Sequence, residues 1–180
     1  MRKIAAGVYV SLDGVMEAPE TWTGPYFNDE LGQKVGALIA AADTLLLGRV
    51  TYEGFAAAFG GQSGGVADQM NATRKVVVST TLERADWQNS TLIRGNIVDE
   101  ITTLKQQPGQ TIGMSGSATL VRWLLGAGLL DELTLLVFPL VLGSGKRLFA
   151  EGGPRVPLAL VDSTAFSTGV VALTYRPASV

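Results

Sequence analysis

The chain has 180 residues, 47% of them apolar and 17% charged, which fits a globular chain able to bury a sizeable core. Its net charge is -2, and its 14 Lys and Arg are scattered rather than clustered, so a nucleic-acid partner is not expected. It contains no cysteine and no histidine, which removes disulfides, thiolate nucleophiles, Cys/His zinc sites and Ser-His-Asp triads together.

The remaining chemistry must use carboxylates, hydroxyls, Lys/Arg, backbone groups or a cofactor, and no metal is expected. The most apolar run, 133–143, is far short of the ~20 residues that span a membrane. Residues 1–180 are therefore expected to form one domain in the cytoplasm.

In chain order, residues 3–11 (KIAAGVYVS) read as a strand and 12–28 as a long loop holding Gly14, Pro19, Gly24 and Pro25. Apolar residues at 31, 35, 38, 39 and 42 give 29–42 helical spacing. TLLLG (44–48) reads as a buried strand and 51–59 as a helix. FGGQSGG (59–65) reads as a flexible loop. KVVVST (75–80) and 90–95 are strands, 97–107 a helix stopped by Pro108-Gly109, 111–116 a strand and 117–128 a helix. Residues 132–143 read as a long strand interrupted at Pro139, suggesting a bulge or an edge. Residues 158–176 read as two antiparallel strands turning near Thr168-Gly169. The fold class is α/β: a mixed, mostly parallel sheet with an antiparallel C-terminal hairpin and helices on both faces.

Ligands of open α/β sheets bind beyond the carboxyl ends of the strands. There the sequence places Gly48, Arg49 and Thr51; then Ser79 and Thr80; then Ser115, Gly116, Ser117, Ala118 and Thr119. Two of these junctions run strand–glycine–helix, where free amides and the helix dipole favour an anion. A pyrophosphate at Gly116-Ser117 and a further phosphate at Arg49 suit a dinucleotide with a 2′-phosphate. The competing reading is that small polar residues after strands are ordinary turns and N-caps. No G-x-G-x-x-G follows the first strand, and no P-loop motif occurs. GSGKRL (143–148) is either a tight turn or an anion loop, with Gly143 and Gly145 as its candidates for substrate contact. Asp13 reads as either an Asx turn with Gly14 or a substrate contact. Trp22 reads as either a cover over a pocket or packing for the loop. Asp29 and Glu30 open a helix, where carboxylates complement the dipole.

SLDG, LLLGRVTYEGF, KVVVST, MSGSATLVRWLL and LLDELTLLVFPLVLGSGKRLF, in this order, resemble the dihydrofolate reductase-like superfamily. The likeness is greatest to the reductase domain of the bifunctional deaminase/reductase of riboflavin biosynthesis and its stand-alone bacterial relatives. No deaminase-type zinc motif is present, so the complete bifunctional enzyme is not expected. The resemblance implies NADPH as cofactor and reduction of a small pterin-like or pyrimidine riboside-like substrate. It implies that Arg49, Ser79 and Thr80 lie near the 2′-phosphoribose and Gly116-Ser117 against the pyrophosphate. Tyr9 to Met16 are implied near the nicotinamide, with Asp13 on the substrate side. Asp13, helped by Asp29 or Glu30 and water, is the expected handler of the proton. A homodimer through the C-terminal sheet is implied, with the apolar stretch 133–143 as its candidate surface. A non-catalytic binder of the same fold and a flavin- or deazaflavin-using reductase remain alternatives.

Overall fold

The computed structural model describes residues 1–178. One eight-stranded sheet runs through it in the order β4-β3-β2-β5-β1-β6-β8-β7. The strands are β1 (Ile4–Ser11), β2 (Ala42–Gly48), β3 (Arg74–Val78), β4 (Ser90–Ile93), β5 (Thr111–Ser115), β6 (Glu132–Phe138), β7 (Leu158–Ala165) and β8 (Val171–Pro177). The helices are α1 (Asp29–Ala40), α2 (Arg49–Phe59), α3 (Gly65–Ala72), α4 (Ile97–Gln106) and α5 (Ala118–Gly126). The pairs from β4 across to β6 are all parallel, and only β8 runs against its neighbours.

Period-two alternation assigns the strand residues to two faces. Ile4, Ala6, Val8 and Val10 of β1 join Leu46, Val76, Ile112 and Met114 beneath α4 and α5. On the other face Leu45, Leu47 and Val77 pack on Tyr52 of α2, Met70 of α3 and Trp87. Leu31 of α1 packs with Leu136, Phe138 and Trp22 farther along that face. Both faces are covered, which is why β2 and β3 can be apolar throughout. Leu46, Val77 and Ile112 are fully buried, and each such side chain stabilises the fold by about 1.5–3 kcal/mol.

Three expectations change. First, the glycine-rich stretch gives way to α3 at Gly65. Its last carbonyls, Met70 O and Asn71 O, accept from the fully buried Lys75 Nζ at 2.7 and 3.1 Å. Lys75 also lies 4.1 Å from the Trp87 ring centroid, and desolvation lowers its pKa to about 8. Second, β6 stops at Phe138, because Pro139 has no N–H to continue the ladder. The strand is not an edge: it lies between β1 and β8. Third, the core accounts for the apolar character of 133–138, where Leu133, Leu136 and Phe138 are buried. The exposed edge is β7, with Leu160 53% and Val161 46% exposed.

Candidate functional site

β3, β2 and β5 are neighbours, so the three strand ends singled out in the sequence lie side by side. β2 feeds α2 toward one face while β5 feeds α5 toward the other, which opens a crevice between their carboxyl ends. The two junctions touch. A Cβ on Gly48 would stand 2.3 Å from Ser117 Oγ, and one on Gly116 would stand 3.3 Å from Thr51 Oγ1. Gly116 and Ser117 both have positive φ, +87° and +63°. Neither α2 nor α5 has a side-chain cap, so the first-turn amides of both face the crevice unpaired by side chains. Ala118 is buried under the turn, while Thr119 is exposed on the first turn of α5.

Arg49 is the first residue of α2 and is exposed. It donates from Nη1 to Glu53 Oε2 at 3.0 Å, one turn along the same helix. Gly48 pairs in register with Val78, so Arg49 and Ser79 follow adjacent strand ends. Ser79 Oγ is buried and accepts from Thr81 N (3.2 Å) and Leu82 N (3.0 Å), which gives it a turn to hold. Thr80 is exposed beside it.

The loop after β1 behaves differently. Asp13 accepts from Ser11 Oγ (2.6 Å), Leu142 N (3.1 Å) and Gly143 N (2.8 Å), with Arg147 Nη2 at 4.0 Å. The Ser11 hydroxyl and these amides lower its pKa to about 2. A carboxyl so held carries no proton near neutrality. Asp13 therefore clasps two loops together, and it does not fit the expected role of proton handler. Glu17 takes Lys146 N at 3.1 Å, and a Cβ on Gly145 would stand 2.7 Å from Val15 Cγ1. Within the 143–148 turn the Gly143 and Lys146 amides are answered by the protein's own carboxylates, and Leu148 N by Gly14 O, so Gly143 takes part in the clasp. Met16 N donates to Lys146 O, and Trp22 donates to Glu17 O at 2.9 Å while packing edge-on against Phe138. Trp22 packs the loop down. Glu30 accepts from Ser167 N and Oγ, which lowers its pKa and ties α1 to the β7–β8 turn. Asp29 is exposed on the first turn.

The sequence reading missed a cleft of about 100 Å³ between α1 and the sheet. Val35, Leu38 and Ile39 roof it; Ala5, Gly7, Tyr9 and Gly113 floor it; Ser115 lies at the end nearest the Gly116-Ser117 turn. Glycines inside strands mark close approach, and that signal was available at Gly7 and Gly113. A Cβ on Gly7 would stand 3.3 Å from Leu38 Cδ1. Tyr9 is half-buried between Phe27 and Phe138, ring centroids 6.0 and 5.6 Å away, and burial raises its pKa. A larger groove of about 370 Å³ lies at the amino ends of the strands, by Lys3, Asp131 and Arg176. Two of its three charges are paired, Asp131 with Lys105 and Arg176 with Glu132. Among the described residues no cluster of His, Cys, Asp or Glu could hold a metal, and no helix is long and apolar enough to cross a membrane.

The crevice thus joins two uncapped helix starts to the adjoining cleft. Comparison with known proteins bears on the fold and the family. A dihydrofolate reductase from Enterococcus faecalis, solved with NADP(H), superposes with a TM-score of 0.65 at 16% identity, over 98% of this chain and 97% of that one. A protein from Shewanella sp. PV-4 named for riboflavin biosynthesis superposes with a TM-score of 0.80 at 22% identity, over 99% and 100% of the two chains. The fold is dihydrofolate reductase-like. The Bacillus subtilis (strain 168) protein YyaP is 37% identical over 107 residues, 59% of this chain and 56% of its own length, so the match spans little more than half of that relative. The model of the RibD C-terminal domain matches residues 2–172, and the chain belongs to that family.

Proposed function

We propose that this chain is an NADPH-dependent reductase acting on a small heterocyclic or sugar-derived substrate. The observation that carries the reading is the meeting of Gly48, Thr51, Gly116 and Ser117 at the ends of β2 and β5, with Arg49 beside them. Membership of the RibD C-terminal domain family supports an oxidoreductase. NADPH, when bound, supplies the hydride.

The protein's own part is to bind and orient. The glycines at 48 and 116 let backbone amides approach a pyrophosphate, and the α2 and α5 dipoles favour its charge. Arg49 leaves Glu53 to meet the 2′-phosphate, a charge-assisted contact stronger than its exposed ion pair. Thr80, and the Ser79 hydroxyl hydrogen, face the same phosphate oxygens. The Leu12–Trp22 loop, clasped by Asp13, walls the nicotinamide end. We further infer a cytoplasmic homodimer joined along β7, where an exposed apolar edge strand stands open to pairing.

Fluorescence titration of Arg49→Ala with NADPH and NADH is the test. The expected outcome is a loss of NADPH affinity of about tenfold or more with NADH affinity little changed. Unchanged preference for NADPH in the variant removes the assignment.

A further inference from the structure

We infer that the cleft beneath α1 takes an uncharged ring compound bearing one carbonyl or imine, and that the Tyr9 hydroxyl bonds and then protonates its heteroatom. This rests on the reductase reading above and narrows its substrate.

The lining decides the charge. Val35, Leu38 and Ile39 above, and Ala5 and Gly7 below, offer no counter-ion, and no charged side chain borders the space. An unpaired phosphate or protonated base brought here would lose its hydration without compensation. Lys34, the one cation of α1, is not among the residues that line the cleft; it lies against Asp162, Nζ to Oδ2 3.4 Å. The nearby carboxylates are occupied as well, Asp13 by the Leu142 and Gly143 amides and Glu30 by Ser167. A cationic heterocycle finds no anion and a phosphosugar finds no cation.

The size sets the number of rings. At about 100 Å³, against the ~150 Å³ of a closed cavity that takes benzene, the cleft has room for no more than one ring, and that ring must stand partly out of it. Val35, Leu38 and Ile39 are only half-buried, which leaves room for substituents to project outward.

Tyr9 is the one lining side chain with an acidic proton. Its ring is fixed edge-on between Phe27 and Phe138. No internal hydrogen bond stabilises its phenolate, and burial alone acts on its titration, keeping the hydroxyl protonated. Gly7 pairs with Ser115, so Tyr9, two residues on, stands at the same end of the cleft as the Gly116-Ser117 turn. A ring in the cleft would therefore lie beside a cofactor held along that turn. NADPH, when bound, would supply the hydride to the carbonyl or imine carbon and leave as NADP+. The broken π pair takes the Tyr9 proton on oxygen or nitrogen, and the phenolate recovers a proton from water.

The experiment uses the full chain with NADPH present. Cyclohex-2-enone and benzaldehyde are the neutral probes and ribose 5-phosphate the charged one. Binding is read by saturation-transfer NMR and turnover by loss of dihydronicotinamide absorbance. The neutral rings are expected to bind and be reduced, with ribose 5-phosphate doing neither. Val35→Phe, which fills the cleft from its half-exposed roof, is expected to weaken the neutral probes about tenfold or more while NADPH affinity holds. Tyr9→Phe keeps the packed ring; it is expected to bind the probes and lose about 100-fold or more in kcat. Equal binding of ribose 5-phosphate, failure of both neutral rings to bind, or indifference to Val35→Phe overturns the substrate assignment. Retained kcat in Tyr9→Phe overturns the proton donor. Failure of the wild-type chain to bind NADPH is a different result, and it removes the reductase reading itself.

Discussion

The end of α3 and the starts of α2 and α5 lie on neighbouring parts of one sheet, yet their backbone groups are treated in opposite ways. The last carbonyls of α3 are met inside the core by Lys75, a cation with no carboxylate beside it. The first amides of α2 and α5 receive no side-chain cap at all. The clasp of Asp13 and Glu17 on residues 142–146 belongs with α3: the amides of Leu142, Gly143 and Lys146 are answered from within. The starts of α3 and α4 are uncapped as well, so what sets α2 and α5 apart is that their two glycine junctions meet, and that meeting is the place our proposal gives to the cofactor.

The largest effect tests the self-satisfied side. Lys75 has its pKa depressed from 10.5 to about 8 by desolvation. Below pH 8 the residue is charged in both folded and unfolded chains, and the folded state carries the whole burial penalty. Between pH 8 and about 10.5 the unfolded chain holds more protons, so stability from this group rises with pH, by about 3 kcal/mol across the window. Urea denaturation at stepped pH should show that rise in the wild type, and Lys75→Met should abolish it. Persistence of the rise in the variant would assign it to another group.

The next tests the bare side. Gly48→Val places a branched side chain where a Cβ already meets Ser117 Oγ at 2.3 Å. Overpacking of this kind costs about 1–3 kcal/mol, and the crevice should lose NADPH binding more than the chain loses its melting temperature. If affinity survives while the fold weakens, the junction is structural only.

Asp13→Asn returns to the answered side. The Asp13 carboxyl is held at about 2, against 3.8 ordinarily, so its stabilisation is complete above pH 4 and disappears as pH falls through 2. The variant should melt earlier than wild type at neutral pH, with the gap closing in acid. NADPH affinity should move less than it does in Gly48→Val. The smallest effect concerns Glu53→Gln. Freeing Arg49 from an exposed pair worth about 0.3–0.5 kcal/mol should tighten NADPH about twofold and leave NADH alone.

Most of the sheet could be read from apolar runs, because parallel strands buried on both faces carry little else: Leu45 to Leu47 and Val76 to Val78 are examples. α3 could not, since it follows Gly64, opens on Gly65 and buries only Met70 and Asn71, too little for a periodic signal. The strand ends holding Gly48, Arg49 and Gly116-Ser117 were legible because the chain supplies each junction locally. The fates of Asp13, Gly143 and Gly145 were not. The Asp13 carboxylate bonds residues 129 and 130 positions away, and no local pattern records such a partner. The α1 cleft was hidden for the same reason: Gly7 and Gly113 look like weak points in two strands until Leu38 is seen above one of them.

The reversal of β8 has a practical consequence. Because that strand alone runs backwards, it carries Pro177 to the amino ends of the other strands, where Lys3 and Pro177 border one groove. The crevice lies at the far ends of the same strands. A tether, tag or immobilising surface attached through either end of the described chain hangs below the sheet and leaves the mouth above it unobstructed. Both attachment points can therefore serve for measuring cofactor and probe binding on a sensor surface, and agreement between the two orientations checks that neither disturbs the crevice.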